Sequence, residues 1–397
     1  MNITIVNAHW NNRGDEAAHR PLWTALRKRY PGSQLTILFK DRNPITWFPD
    51  LPDVTYHSAQ FNAPAWDIWL TTLTRGLLGK NPALKKTVRI LSRSDLIIYP
   101  PGGSVINDRF FWSKQLEYLT PFLCARIYHI PMVVAAPSMG PYEAQPRRRL
   151  RQWLLRTQRV FCVREDISRQ YLETIGIQDN VEVTMDLAFM DEVDAEAAER
   201  QLQDFPELAS FLQAHPRTVG VTVSDFRWHV KLGKDAALSE RIESSFRKMI
   251  CALVERGYGV LLIPQLFGNQ NDVDDLQTFV GEGVHVMSDQ PDTYAQQYVV
   301  SKLYAVIGMR YHSNIFAAKM GTPFVAVVYE EKMAGFLGLA GLDDYGLSLE
   351  QLSFEALEER FRRLESHHAE LREQLRVALP EWRRRARHTV ELLPDLA

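Results

Sequence analysis

Cysteine is scarce in this chain: three residues, Cys124, Cys162 and Cys251, among 397. They are far apart, odd in number and form no CxxC pair, which leaves no basis for a disulfide framework or a cysteine zinc site. Each is expected to fill apolar space, as free cysteine commonly does, and the pattern suits a reducing compartment. No uninterrupted apolar run approaches the roughly 18 residues that a membrane-crossing helix needs. The opening Met1-Asn2-Ile3-Thr4-Ile5-Val6 has neither the basic start nor the long apolar stretch of a secretory leader, and reads as a first strand. The expected location is therefore cytoplasmic. Charge of one sign is not in excess either. With 46 Lys+Arg against 48 Asp+Glu the formal net charge is -2, so the basic footprint of a nucleic-acid binder is missing and no nucleic-acid partner is expected. A Walker loop, a GxGxxG motif, solenoid repeats and low-complexity tracts are likewise lacking.

What is present is an alternation. At 397 residues the chain exceeds the roughly 250–300 that one core serves, so two domains are the default. Apolar runs over 3–7, 34–39, 95–99, 132–136 and 159–163 predict strands, and a helical pattern over 15–29, with Asp15 placed to cap it, follows the first. The second half repeats this with strands over 218–223, 260–263, 284–287, 303–307 and 323–328, and helices over 239–256 and 313–319. Such alternation implies parallel strands joined by crossover helices. The fold class is therefore α/β. A Rossmann-like N-terminal domain is expected over 1–190, a polar, helical linker without a strand over 191–216 and a Rossmann-like C-terminal domain over 217–350. The charged helices over 351–397 are read as a tail able to cross back to the first domain. The two halves are expected to face one another across a cleft, each binding ligands at the carboxyl ends of its strands.

Four strand ends carry unusual residues. After the first strand comes Asn11-Asn12-Arg13-Gly14-Asp15-Glu16, polar side chains and a glycine leading into a helix N-terminus. That arrangement suits hydroxyls or an anion, and equally an ordinary capped turn. After the third strand comes Pro100-Pro101-Gly102-Gly103-Ser104, where glycines permit close approach of a ligand; an ordinary turn is the commoner meaning of a lone Gly-Gly. Val163-Arg164-Glu165-Asp166 sets an arginine directly after an apolar strand, the plainer alternative being an Arg164–Glu165 surface pair. The strongest is Gly308-Met309-Arg310-Tyr311-His312-Ser313. Two residues apart, Arg310 and His312 point the same way if the backbone is extended. A guanidinium fork grips carboxylate or phosphate, a helix beginning near Ser313 adds partial positive charge, and His312 can exchange a proton near neutral pH.

Other features read more plainly. His367-His368 lies in a charged helical stretch and is expected at the solvated surface. Asp272, Asp274 and Asp275 match no metal-ligand pattern and read as an acid-rich helix start. Trp66, Trp69, Leu70, Leu73 and Leu77 recur at helical spacing and precede Lys80, Lys85, Lys86 and Arg89. The ordinary reading is a core-facing helix; the other is an amphipathic face on an anionic membrane.

Taken in order, these segments resemble the signatures of the polysaccharide pyruvyltransferase family. Gly308 through Ala318, with Gly321-Thr322-Pro323, Tyr329, Lys332 and Gly335-Phe336, is similar to its C-terminal signature. Asn11 through Ala17 resembles the N-terminal one. Arg164-Glu165 with Ser168, Gly176 and Asp186-Leu187-Ala188-Phe189 resembles the middle. The resemblance spans roughly residues 3 to 340.

It implies a fold like the two-domain GT-B glycosyltransferases. It also implies transfer of the carboxyvinyl unit of phosphoenolpyruvate onto two hydroxyls of a sugar, giving a pyruvate ketal and phosphate. Within the family the Arg-x-His pair and the middle arginine handle the donor, and these match Arg310, His312 and Arg164. Ser313 and Lys332 are further donor-side candidates. Asn12, Gly14, Asp15, Glu16, Gly102 and Gly103 are the acceptor-side candidates, with Asp15 or Glu16 to orient or deprotonate the sugar hydroxyl. Phosphoenolpyruvate is the co-substrate, and no cofactor or metal is expected. The implied acceptor belongs to a bacterial exopolysaccharide or cell-surface glycan precursor, with a lipid-linked oligosaccharide as one form left open; acceptors in this family are often built at the inner membrane face, which would bring peripheral contact with it. The competing classes are a GT-B glycosyltransferase using a nucleotide sugar and a non-catalytic sugar-binding protein.

Overall fold

The computed structural model of the protein describes residues 1–8, 12–39, 51–59, 61–103, 106–108, 112–142, 145–156, 159–224, 235–267 and 271–395. Asn11 and Ser104, singled out in the sequence, lie outside them. The chain divides into two compact units, one of Met1–Trp10, Ala18–Met190 and Arg383–Ala397, the other of Asn11–Ala17 and Asp191–Trp382.

The first unit runs β1 (Asn2–Ala8), α1 (Arg13–Arg29), β2 (Gln34–Phe39), β3 (Val54–Ser58), α2 (Ala65–Leu73), α3 (Pro82–Leu91), β4 (Leu96–Tyr99), α4 (Trp112–Tyr128), β5 (Met132–Val134), α5 (Gln145–Leu155), β6 (Val160–Val163), α6 (Asp166–Thr174) and β7 (Val181–Val183). Its seven strands are ordered β3-β2-β1-β4-β5-β6-β7, and each pairing is parallel. Central strands are covered on both faces, so β1 and β4 are almost wholly buried. That is why β4 reads as a continuous apolar run rather than an alternating one. The edge strands β3 and β7 are half-exposed, lack such runs, and were not marked by the sequence.

The second unit continues with α7 (Ala195–Leu202), α8 (Pro206–Ala214), β8 (Thr218–Thr222), α9 (Ala236–Glu255), β9 (Gly259–Leu262), α10 (Asp272–Gln277), β10 (Val284–Val286), α11 (Thr293–Ser301), β11 (Ala305–Gly308), α12 (Tyr311–Met320), β12 (Phe324–Val328), α13 (Glu331–Ala340), β13 (Gly346–Ser348), α14 (Phe354–Ser366) and α15 (His368–Glu391). Its six parallel strands are ordered β10-β9-β8-β11-β12-β13. Both sheets thus reverse direction beside their first strand, between β1 and β4 and between β8 and β11. In open α/β sheets that switch point is where ligands bind.

Several expectations change here. The stretch 191–216 is helical and lacks a strand, as its sequence indicates, holding α7 and α8; beyond that, Ala198 packs with Ala295 and Tyr298 of α11 in a small apolar cluster. The N-terminal loop was expected to belong with the first domain, yet Asn11–Ala17 clusters with the second unit. Helix α15 also divides. From Arg383 on it belongs to the first unit, where Thr389 Oγ1 donates to Thr184 Oγ1 at 2.8 Å and Arg387 Nε donates to the Met190 carbonyl at 3.1 Å. His368 is not merely solvated. Its ring stacks on Tyr304 at 4.1 Å, and its Nε2 lies 2.8 Å from the Tyr304 carbonyl. Cys124 and Cys162 are buried as expected, but Cys251 is exposed on α9. Among the described residues no helix is long and apolar enough to cross a membrane.

Candidate active site

In the second unit the unusual residues meet at the switch point. Strand β11 ends at Gly308, where a Cβ would stand 1.9 Å from Asn314 Oδ1, so only glycine lets the first turn of α12 fold back this closely. Asn314 Nδ2 in turn reaches the Gly308 carbonyl at 3.3 Å. On the neighbouring strand, Thr222 Oγ1 accepts from the backbone N–H of Met309 at 3.0 Å and of Arg310 at 3.2 Å, and lies 2.9 Å from Ser313 Oγ. Ser313 Oγ donates to the Arg310 carbonyl at 2.6 Å. Ser313 is therefore occupied with shaping the turn.

Helix α12 starts at Tyr311, two residues earlier than the sequence suggested, with Arg310 as its extended N-cap (φ -88, ψ 137). Arg310 and His312 thus do not alternate along one extended segment. Arg310 stands before the helix and His312 within its first turn. The Arg310 side chain does not itself cap this end, and a helix N-terminus brings partial positive charge to the site. At the other end Gly321 (φ 69) closes the helix in the left-handed region.

Arg310 is buried and pairs with Asp272, the first residue of α10. The other Asp272 oxygen accepts from the backbone N–H of Gln265 at 3.0 Å and of Leu266 at 2.9 Å. Asp272 is indeed at an acid-rich helix start, as the sequence indicated, but it also orients the key arginine. Tyr329 lies within reach of the same guanidinium. Burial of its phenol end, followed by the charge of Glu330, raises its pKa, and Arg310 opposes the shift without cancelling it. Tyr329 thus keeps its proton while its oxygen accepts from Arg310. Lys332 pairs with Glu330 and stands 5.6 Å from the centre of the Tyr311 ring.

The loop after β1 enters this unit through a bridge between Asn12 and Leu266 and a 3.1 Å bond from the Arg13 N–H to the Gln265 carbonyl. The cap of α1 is Asn12 and not Asp15: Asn12 Oδ1 accepts from Gly14 N at 2.8 Å and Asp15 N at 3.4 Å. Glu16 is fully buried and takes Arg13 Nη1 at 2.7 Å, while Arg13 Nη2 reaches the Asp289 carbonyl at 2.7 Å. Thr293 Oγ1 donates to the Arg13 carbonyl at 2.8 Å. Arg13, quoted in the sequence but given no role, is what anchors the loop. Gly14 then lies against the imidazole of His312, too close for any Cβ. The ring is nearly buried and meets Tyr311 edge-on at 5.0 Å. Of the acceptor-side candidates in this loop, Asn12, Gly14 and Glu16 have structural duties, and Asp15 is half-buried on the first turn.

The middle signature forms its own network in the first unit. Arg164 is buried, not part of a surface pair. Its Nη1 meets Asp186 Oδ2 at 2.7 Å, its Nε donates to Ser138 Oγ at 2.8 Å, and Glu165 stands at 3.4 Å. Glu165 also accepts from Ser168 Oγ, which itself accepts from the Met139 N–H at 2.8 Å. Asp186 caps a short 3-10 turn through the Ala188 N–H at 2.9 Å. At the end of β4, the Pro101 carbonyl lies 3.1 Å from His19 Nε2, and the Gly102 carbonyl accepts from Ser138 N at 3.1 Å. A Cβ at Gly102 would meet nothing within 4 Å, so this glycine borders open space; Gly103 follows it, half-buried. Asp108, farther along, is held by buried Arg151 at 2.6 Å.

Known proteins resemble this chain in sequence and in fold. The sequence profile of the family described as polysaccharide pyruvyl transferase matches residues 12–331. The amylovoran biosynthesis protein AmsJ of Erwinia amylovora is 23% identical over 293 residues, covering 71% of this chain and 68% of AmsJ. Among solved structures, the UDP-GlcNAc 2-epimerase of Neisseria meningitidis is similar with a TM-score of 0.58 at 13% identity, over 99% of both chains. MnaA of S. aureus gives a TM-score of 0.58 at 11% identity, over 100% of this chain and 98% of that one. At such identities the likeness concerns the fold, which is α/β and GT-B-like.

Proposed function

Since this chain belongs to the polysaccharide pyruvyl transferase family, we propose that its donor is phosphoenolpyruvate and its product a pyruvate ketal on a sugar of a bacterial exopolysaccharide or cell-surface glycan precursor. The observation that carries this reading is the joint placement of Arg310 and His312 at the end of β11, where helix α12 begins.

The chemistry needs a grip on a carboxylate and a phosphate and a proton for the methylene carbon. Asp272 engages Nη2 of Arg310, and a guanidinium carries five N–H donors in a planar fork. Those not taken by Asp272 and Tyr329 hold the donor's anionic group, helped by the partial positive charge of the α12 N-terminus. His312 gives its proton to the methylene carbon as the first sugar hydroxyl bonds to the enol carbon. The second hydroxyl then displaces phosphate from that carbon. Of the two hydroxyl protons, one restores His312 and the other leaves with phosphate, so the sum is donor plus diol to ketal plus phosphate. Positive charge at Arg310 and the helix end stabilises the departing phosphate. Asp15 is the acid of the α1 turn that orients a sugar hydroxyl, because Glu16 is committed to Arg13. Two carboxylates already engage Arg164, so its part is to position the first unit's strand end rather than to grip the anion. Lys332 adds positive charge while paired with Glu330.

The deciding assay supplies phosphoenolpyruvate with pyranose acceptors and measures phosphate, in parallel with nucleotide sugars and the same acceptors. Phosphate release with mass gain of a pyruvyl ketal is the expected result. Sugar transfer from the nucleotide donor with no phosphate release from phosphoenolpyruvate would overturn the proposal.

A further inference from the structure

Helix α2 sends only part of its apolar surface into the core: Ile68 lies in the core cluster and Trp69 packs against it, while other large apolar side chains face outward. Its buried residues are Asp67, Ile68, Thr71 and Thr72. Facing outward are Trp66 (51% exposed), Leu70 (37%) and Leu73 (63%), followed by Leu77 (71%) and Leu78 (56%). Trp153 of α5, itself part-exposed, joins this face through Trp69, the two rings lying 6.4 Å apart. Contiguous apolar exposure of this kind marks an interaction site.

The patch is built, not frayed. The buried Asp67 carboxylate accepts from the backbone N–H of Lys80 at 2.7 Å and of Asn81 at 3.1 Å, fixing the turn that presents Leu77 and Leu78. Gly79 (φ 118) lets that turn press on α2, since a Cβ there would stand 2.1 Å from Thr71 Oγ1. Arg89 Nε donates to the Gly76 carbonyl at 3.1 Å and ties the turn to α3.

Its rim is cationic. Lys80 Nζ stands 5.5 Å from the centre of the Trp66 ring, and the Arg126 guanidinium 4.2 Å from that of Trp153. Between residues 61 and 94 the chain carries Arg75, Lys80, Lys85, Lys86, Arg89 and Arg93, against a single carboxylate, the buried Asp67. Lys86, Arg89 and Arg93 also line a hollow of about 470 Å³ beside α3, which shares Arg89 with the apolar turn. In a chain of net charge -2 this is a local concentration of positive charge.

We propose that α2 and the turn after it dock the protein on a bilayer surface bearing anionic lipid. Leucine and tryptophan side chains enter the boundary between headgroups and acyl chains, and the cations meet lipid phosphates. The inference stands apart from the proposed reaction, and its test uses no substrate.

The full chain is floated with vesicles of phosphatidylcholine alone, or of phosphatidylcholine with phosphatidylglycerol. Binding is expected to the anionic vesicles and to fall with salt, because screening weakens the cationic part. Leu73→Ser with Leu77→Ser should lower partition by about tenfold per site. Lys80→Gln with Lys86→Gln should lower it roughly fivefold per site. All four side chains are largely exposed, so unchanged unfolding midpoints are expected for both double variants. No binding to anionic vesicles, or equal binding by the wild type and the Leu73/Leu77 variant, would overturn the proposal. So would a wild-type dimer that the leucine changes convert to monomer without any effect on vesicle binding, which would make this face a contact between copies.

Discussion

Gly14 lies against the ring of His312: a methyl group at position 14 would stand 1.9 Å from both Cγ and Nδ1 of the imidazole. The glycine is needed for this close approach and not for an unusual backbone angle. Gly14→Ala should therefore displace His312, at a cost of about 1–3 kcal/mol of stability as an overpacked site. The loss should be strongly non-additive with His312→Ala, whose small side chain removes the clash. Urea unfolding of the two single variants and the double variant measures the coupling. Simple addition would show that the ring tolerates the methyl group.

His312→Ala should abolish phosphate release from phosphoenolpyruvate, by at least about 10²-fold if it supplies the proton. Its unfolding midpoint should remain close to that of the parent. Near-normal turnover would remove His312 from the mechanism.

Arg310 and Asp272 are both buried at their ion pair. Arg310→Lys keeps the charge and loses the fork, so KM for phosphoenolpyruvate should rise. Asp272→Asn leaves a buried guanidinium without its counter-charge, at a cost of up to about 3–5 kcal/mol. The two are told apart by steady-state kinetics and urea unfolding: the lysine variant should be the more stable of the pair.

Arg164→Ala strands Asp186 and Glu165 in a buried setting. The expected outcome is lost stability of similar size, with any active fraction retaining an ordinary KM for phosphoenolpyruvate. A large KM increase in a fully stable variant would restore Arg164 to direct donor contact.

The thiols should separate by burial. Desolvation pushes Cys124 and Cys162 up to about 12, whereas Cys251 is exposed. A thiol reagent should modify Cys251 in the native protein and the other two only after unfolding. The sign of the pH effect follows. Unfolded thiols ionise near 8.5, so the stability contributed by the two neutral buried thiols is intact below about that pH and is lost as pH rises toward about 12. Unfolding midpoints across that range should decline less steeply in Cys162→Ala.

Much of the fold was legible because the central strands are buried on both faces and leave continuous apolar runs, as in β4 and β12. The edge strands β3, β7 and β13 escaped because one side or end meets solvent and the run breaks. The candidate site was legible where a charged pair directly follows a buried strand, as at Arg310 and His312. Its supports were not. Asp272 read only as a helix start, and Thr222 and Arg13 drew no attention. Asp15 looked like the cap of α1, yet Asn12 performs it, since either side chain can reach the N–H groups of a first turn.

The sequence by itself determined the alternation of parallel strands and helices, the two-sheet organisation and the position of the arginine–histidine pair, because these depend on spacing along a few neighbouring residues. Only the tertiary structure decided that Asn11–Ala17 belongs with the second unit, that Gly14 meets His312 and Asp272 meets Arg310, and that α2 shows its leucines to solvent. Periodicity shows that a helix has an apolar face. Which way that face turns depends on what the opposite face must satisfy, and here buried Asp67 accepting from Lys80 and Asn81 holds the threonine side inward.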